Sequence, residues 1–224
     1  MLPEKDIEAV EAILNHRFGD RDLLITALTH PSMENLPNYQ RLEFLGDRIL
    51  GLLIAEWLYD TYPSEREGVL SKKLTALVRK ETLSDVCLET GLSGYIIMDK
   101  SASSVGGKNN PAILSDVVEA VLAAMYLDGA MAPAKDFIRT HWSKRIDQVA
   151  KKDAKTALQE YVQGRGYQPP IYETVDRTGP DHAPSFVIEA RVEGLNSATG
   201  KGSAKKEAQT NAAAALLKKL QNEI

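Results

Sequence analysis

The chain has 224 residues, 43% of them hydrophobic and 26% charged, which suits a globular protein of one large domain or two small ones. No segment approaches the roughly 18 apolar residues of a membrane span, and the charged start Met1-Leu2-Pro3-Glu4-Lys5-Asp6 lacks the apolar stretch of a signal peptide, so a cytoplasmic protein is expected. The net charge of −4 is unevenly spread: residues 1–150 hold 16 Lys+Arg against 22 Asp+Glu, and residues 151–224 hold 11 against 9, so a stretch able to hold cations precedes a mildly basic one.

Ile7, Val10, Ile13 and Leu14 share one face of a first predicted helix, and Leu23, Leu24, Ala27 and Leu28 mark a short second one. A long helix is expected from Asn38 to Asp60, stopping near Pro63. Glu67–Lys80 and Glu81–Glu89 read as two more, with Gly91 ending the second. Cys87 lies on that last helix without any nucleophile context and reads as a small core residue. As the single cysteine it excludes an internal disulfide and suits a reducing compartment. The breaker-rich run Ser101–Asn110 reads as a polar loop. Pro111 suits the first turn of a helix reaching Asp128 and stopping at Gly129, and another covers Ala132–Gln148.

Lys151-Lys152-Asp153 is a candidate linker, and the period changes after it. Thr156–Gly164 reads as helix and Ile171–Arg177 as extended chain. Phe186, Ile188, Ala190 and Val192 alternate with Val187, Glu189, Arg191 and Glu193, the pattern of a half-buried strand, and Leu195–Gly200 offers it a partner. A closing helix, Ser203–Gln221, turns Ala208, Ala212, Ala215, Leu216 and Leu220 inward. Tyr161 and Phe186 read as core aromatics. The order is α-β-β-β-α.

Two acidic pairs carry the chemistry. Glu43 and Asp47 are four apart and stack on one helical face that continues through Leu50 and Ile54. Asp116 and Glu119 are three apart, on a face continuing through Ala120, Ala123 and Leu127. One such pair is usually a solvated face. Two pairs set in apolar surroundings are another matter, because an unpaired buried carboxylate costs several kcal/mol. Four converging carboxylates suit a hard divalent cation such as Mg²⁺, and such a site hydrolyses phosphodiesters well. His16, His30, His141 and His182 show no zinc-site spacing, and no P-loop pattern occurs, which disfavours a zinc hydrolase and any nucleotide cofactor.

Gln40-Arg41-Leu42-Glu43-Phe44-Leu45-Gly46-Asp47 closely resembles the signature helix of the ribonuclease III family, and Asp116-Val117-Val118-Glu119-Ala120 resembles its second acidic motif. The likeness continues through Glu67-Gly68-Val69-Leu70-Ser71 and Leu77-Val78-Arg79. The resemblance implies an all-α endonuclease domain over residues 1–150. It implies Mg²⁺, with Mn²⁺ as a substitute, held by Glu43, Asp116 and Glu119. Asp47 and Glu119 would act in catalysis, with Asp47 holding water or the leaving side. It also implies a homodimer with two sites flanking one RNA duplex, each cutting one strand to leave 5′-phosphates and short 3′ overhangs. Ribosomal RNA precursors and structured messages would be the substrates. Phe44 matches an aromatic that packs into the partner subunit, although a core aromatic of its own chain fits the sequence as well. Gln40 stands where many members have Glu, which removes an acid from the cleft. Glu67 retains another cleft-edge acid.

Gly200-Lys201-Gly202-Ser203-Ala204-Lys205-Lys206 combines glycines, which let backbone approach phosphate, with lysines on the first turn of a helix. With the α-β-β-β-α order, residues 154–222 resemble a double-stranded-RNA-binding domain. By that resemblance the first helix, around Thr156, Gln159 and Glu160, enters one minor groove and the loop with His182 the next. Lys201, Lys205 and Lys206 then span the phosphates between. For His182, simple solvent exposure fits equally. The rival reading is a non-catalytic double-stranded-RNA-binding protein on the same scaffold; retention of the four acids speaks for the enzyme. A small-molecule phosphohydrolase is disfavoured by the second domain.

Overall fold

The computed structural model describes residues 2–63, 65–104, 106–180 and 183–222. The chain divides into two compact units, Met1–Ile146 and Asp147–Ile224.

The first unit is helical: α1 (Glu4–Leu14), α2 (Arg21–Leu28), α3 (Gln40–Thr61), α4 (Glu67–Leu77), α5 (Lys80–Thr90), the five-residue α6 (Lys100–Ser104) and α7 (Pro111–Leu127), followed by α8 (Met131–Gln163), which continues past the boundary. Helix α7 is the hub. Leu114, Val117, Val118, Val121, Leu122 and Met125 are fully buried on different sides of it. Pro111 occupies its first turn, and the Asn110 side chain accepts the Ala112 N–H at 3.0 Å, so a donor orphaned at the helix start is satisfied. Among the described residues it packs extensively against α3. Helix α8 is anchored to the unit by Trp142, fully buried, whose indole N–H donates to the Leu77 carbonyl at 2.9 Å.

The second unit contains the latter part of α8, a three-stranded antiparallel sheet in the order β1 (Ile171–Thr178), β2 (Ser185–Arg191), β3 (Ser197–Gly202), and α9 (Lys205–Asn222). Leu158 and Val162 of α8, Ile188 and Ala190 of β2, the following Val192, and Ala208, Ala212, Leu216 and Leu220 of α9 are buried. The expected alternation therefore holds from Ile188 to Val192. Tyr161 is half-buried against this core, its hydroxyl donating to the Leu220 carbonyl at 3.0 Å.

Several expectations change. The run Ser101–Asn110 is not a plain loop: most of α6 and a 3-10 turn at Gly107–Asn109 lie in it. The Asp99 carboxylate starts α6 by accepting the Ala102 N–H at 2.6 Å and the Ser101 hydroxyl. Lys151–Asp153 is helical, part of α8, because no glycine or proline interrupts the sequence from Ala134 to Gln163. Leu127 is half exposed, and on α9 Ala213 is buried where Ala215 was expected. Phe186 is only partly buried, with Lys205 Nζ 6.0 Å from its ring centroid.

Candidate active site

The site is made where α3 crosses α7, and Gly46 is what allows the crossing. A Cβ built on Gly46 would stand 1.8 Å from the Glu119 carbonyl oxygen. Any side chain there would force the helices apart. Because the backbones touch at Gly46 and Glu119, Glu43, one turn before Gly46, faces Asp116, one turn before Glu119. One carboxylate oxygen from each of Glu43, Asp116 and Glu119 lies within 4.8 Å of the others. Among the described residues this is the only such cluster of His, Cys, Asp or Glu.

The electrostatics follow from burial and mutual repulsion. Burial, then the charges of Asp47, Asp116 and Glu43, push the Glu119 carboxyl up to about 8, with Arg48 pulling weakly the other way. Burial, then Asp116 and Asp47, raise Glu43. Burial raises Asp116 too, opposed by a hydrogen bond from Tyr39 and by the nearby Lys80 and His30 side chains. These groups repel one another, and among the described residues no cation is hydrogen-bonded to Glu43, Asp116 or Glu119. Acceptor-only oxygen donors without any His or Cys among them fit a hard divalent cation.

Asp47 stands outside the tight group. Its carboxylate is two-fifths exposed and pairs with Arg48 at 3.0 Å. Phe44, on the same helix, is 71% exposed, which rules out the reading of it as a core aromatic of its own chain. Leu52 and Tyr59 are also exposed on α3. With Ala55, Leu70 and Leu74, Leu52 and Tyr59 line an open, largely apolar groove of about 630 Å³. Glu67 also lies on this groove, its carboxylate accepting from the Ser71 hydroxyl at 2.7 Å, and is not part of the cluster. Gln40 is the first residue of α3, its N–H donating to Asn38 Oδ1 at 3.2 Å.

One residue escaped the sequence reading. Tyr39 is 3% exposed, and its hydroxyl donates to Asp116 Oδ2 at 3.3 Å. Burial and the Asp116 charge hold that hydroxyl protonated well above the ordinary tyrosine range. Its only sequence signal was an aromatic directly before the acidic helix.

In the second unit Thr156 and Gln159 are exposed one turn apart on α8, and Lys201, Lys205 and Lys206 are exposed at the end of β3 and the start of α9. Gly200 and Gly202 serve a different purpose from the expected one. A Cβ on either would meet α9, at 2.1 Å from Ala212 N and 2.6 Å from Ala208 N, so these glycines let β3 press on the helix. The Ser203 N–H and hydroxyl both donate to Glu207, at 2.8 and 2.7 Å. His182 lies outside the described residues.

Comparison with known proteins matches these two units. Residues 20–146 fit the ribonuclease-III-like family model, and residues 154–220 fit the double-stranded RNA binding motif. The chain is 42% identical to Ribonuclease 3 of Azorhizobium caulinodans, over 97% of this chain and 95% of that one. It is 43% identical to Ribonuclease 3 of Cereibacter sphaeroides, over 96% of each. The nuclease domain of ribonuclease III from Campylobacter jejuni, solved at 2.2 Å, superposes with a TM-score of 0.59 at 38% identity. That match covers 63% of this chain and 96% of that one.

A helical, metal-dependent nuclease unit joined to a double-stranded-RNA-binding unit defines an endoribonuclease of duplex RNA. The chain belongs to the ribonuclease III family. Among the described residues no helix is long and apolar enough to cross a membrane.

Proposed function

We propose that the protein hydrolyses phosphodiester bonds of duplex RNA with Mg²⁺, Mn²⁺ serving as a substitute. Glu43, Asp116 and Glu119 would be the metal ligands, and Asp47 and Glu119 the catalytic groups. The observation that carries this is the cluster of three carboxylates within 4.8 Å, raised by burial and mutual repulsion, on two helices in backbone contact. A divalent cation relieves that repulsion. When bound, it neutralises charge on the scissile phosphate and makes a water more acidic. The chain's part is to hold the oxygens in place through the Gly46 crossing. Asp47, at the exposed edge of the cluster, orients water or the leaving side.

In this reading residues 1–150 are the catalytic domain and residues 154–222 the RNA-binding domain. Thr156, Gln159, His182, Lys201, Lys205 and Lys206 contact the duplex by shape and phosphate charge. The protein works as a homodimer in the cytoplasm, on ribosomal RNA precursors and structured messages, leaving 5′-phosphates and short 3′ overhangs. The exposed Phe44 and the apolar groove that Leu52 and Tyr59 line on the same helix support the dimer, since exposed apolar surface of this kind marks a covered face. The dimer formation described for the nuclease domain of the Campylobacter jejuni enzyme also supports it.

The test is cleavage of a labelled perfect RNA duplex with and without Mg²⁺, beside Glu119→Gln. Mg²⁺-dependent cutting that the variant loses while still binding the duplex is the expected result. A parent that binds the duplex but cuts it with neither Mg²⁺ nor Mn²⁺ would sink the reading.

A further inference from the structure

We propose that Tyr39 is a positioning residue of the metal site, its hydroxyl fixing the Asp116 carboxylate so that the remaining oxygen is free for the ion. This rests on the reading of Asp116 as a metal ligand. Three observations carry it.

First, Tyr39 is tied into both halves of the cluster. Its carbonyl accepts the Glu43 N–H at 2.8 Å, at the start of α3, and its hydroxyl reaches Asp116 Oδ2 on α7. One residue thus sets the register of two proposed ligands from elements far apart in the chain.

Second, Tyr39 has little freedom of its own. Its N–H donates to the Thr29 carbonyl at 3.0 Å. Its ring stands edge-on to His30, centroids 5.8 Å apart. The His30 ring is itself held by the Ser32 N–H, which donates to Nδ1 at 2.9 Å, and the backbone there by the His30 N–H donating to the Ile97 carbonyl at 2.8 Å.

Third, the bond is single and one-sided. Tyr39 is the one hydrogen-bond donor to Asp116 among the described residues, and it takes Oδ2 only. A carboxylate anchored through one oxygen keeps its side-chain angle while presenting the other. Outer partners of this kind orient ligands and tune metal affinity.

The test uses the full chain, its Tyr39→Phe variant and Asp116→Asn. Tyr39→Phe keeps the ring against His30 and both backbone bonds. Mn²⁺ affinity is measured by calorimetry without RNA, melting temperature in EDTA, and duplex cleavage across a Mn²⁺ series. Tyr39→Phe should bind Mn²⁺ about tenfold more weakly and need correspondingly more Mn²⁺ for half-maximal cleavage. Its rate at saturating Mn²⁺, its duplex affinity and its melting temperature in EDTA should stay near the parent's. If Tyr39→Phe binds Mn²⁺ like the parent while Asp116→Asn does not, the role of Tyr39 is overturned alone. If both variants bind Mn²⁺ like the parent, the ligand reading falls and the role of Tyr39 with it. A lower melting temperature in EDTA with unchanged Mn²⁺ affinity makes Tyr39 a packing residue and equally overturns the proposal.

Discussion

Gly46 and Glu119 touch through their backbones, and the acidic site exists because they do: with a Cβ at Gly46 only 1.8 Å from the Glu119 carbonyl oxygen, α3 and α7 could not cross where they do. Gly46→Ala is therefore expected to cost more than its helix propensity, which favours alanine. The neighbour is backbone within a fully packed helix and cannot swing aside. Overpacking of this kind costs about 1–3 kcal/mol or more. Urea titration should show that loss, and the variant should bind Mn²⁺ poorly because Glu43 and Asp47 move away from Asp116 and Glu119. Parent-like stability and Mn²⁺ binding would contradict this account of the crossing.

The carboxylates should make the metal-free protein less stable as pH rises. The Glu119 carboxyl has its ordinary value of 4.5 when unfolded and is pushed up to about 8 when folded. The folded state therefore holds the proton more tightly. The stability this contributes is fully present below pH 4.5 and is lost as pH rises through 8. Glu43 and Asp116 shift the same way. In EDTA the melting temperature should fall between pH 5 and pH 8, and Glu119→Gln should flatten the fall. Mg²⁺ or Mn²⁺ should reverse it, with metal uptake releasing protons and tightening as pH rises. A metal-free protein whose stability rises over that range would count against the buried, mutually repelling cluster.

Phe44 predicts an effect on assembly alone. At 71% exposure it contributes little to the fold of its own protomer, so Phe44→Arg should change protomer stability within about 0.5 kcal/mol. Placing a charge on an apolar face should dissociate the proposed dimer, and cleavage should fall with it. Light scattering at fixed concentration measures the first and a duplex assay the second. A variant that remains dimeric would place the interface elsewhere.

The acidic pairs were legible in the sequence because spacings of three and four residues put both members on one helical face, whatever the helix packs against. Their convergence was not, since it depends on a backbone contact at Gly46 between distant helices. Tyr39 was hidden for the same reason: its partner Asp116 is 77 residues away, and an aromatic before a helix looks like core. Gly200 and Gly202 were read as openings for phosphate, yet the atoms they make room for belong to α9. Lys151–Asp153 looked like a linker because it is charged, but charge does not break a helix that lacks glycine and proline.

The lysines at the start of α9 should act on binding and not on chemistry. Lys205 and Lys206 are exposed on the first turn of α9, where the helix N-terminus adds partial positive charge. If each neutralises a phosphate, Lys205→Ala and Lys206→Ala should weaken duplex binding whatever the base sequence. Each should also lower the slope of log affinity against log salt by about 1. Folding should be spared, since neither ammonium supports the core formed by Leu158, Val162, Ala212 and Leu216. At low salt and saturating duplex the variants should cut at close to the parent rate, because the carboxylates lie in the other unit. An unchanged salt slope with a lowered cutting rate would move these lysines out of the phosphate-binding surface and leave the RNA interface to other faces of the domain.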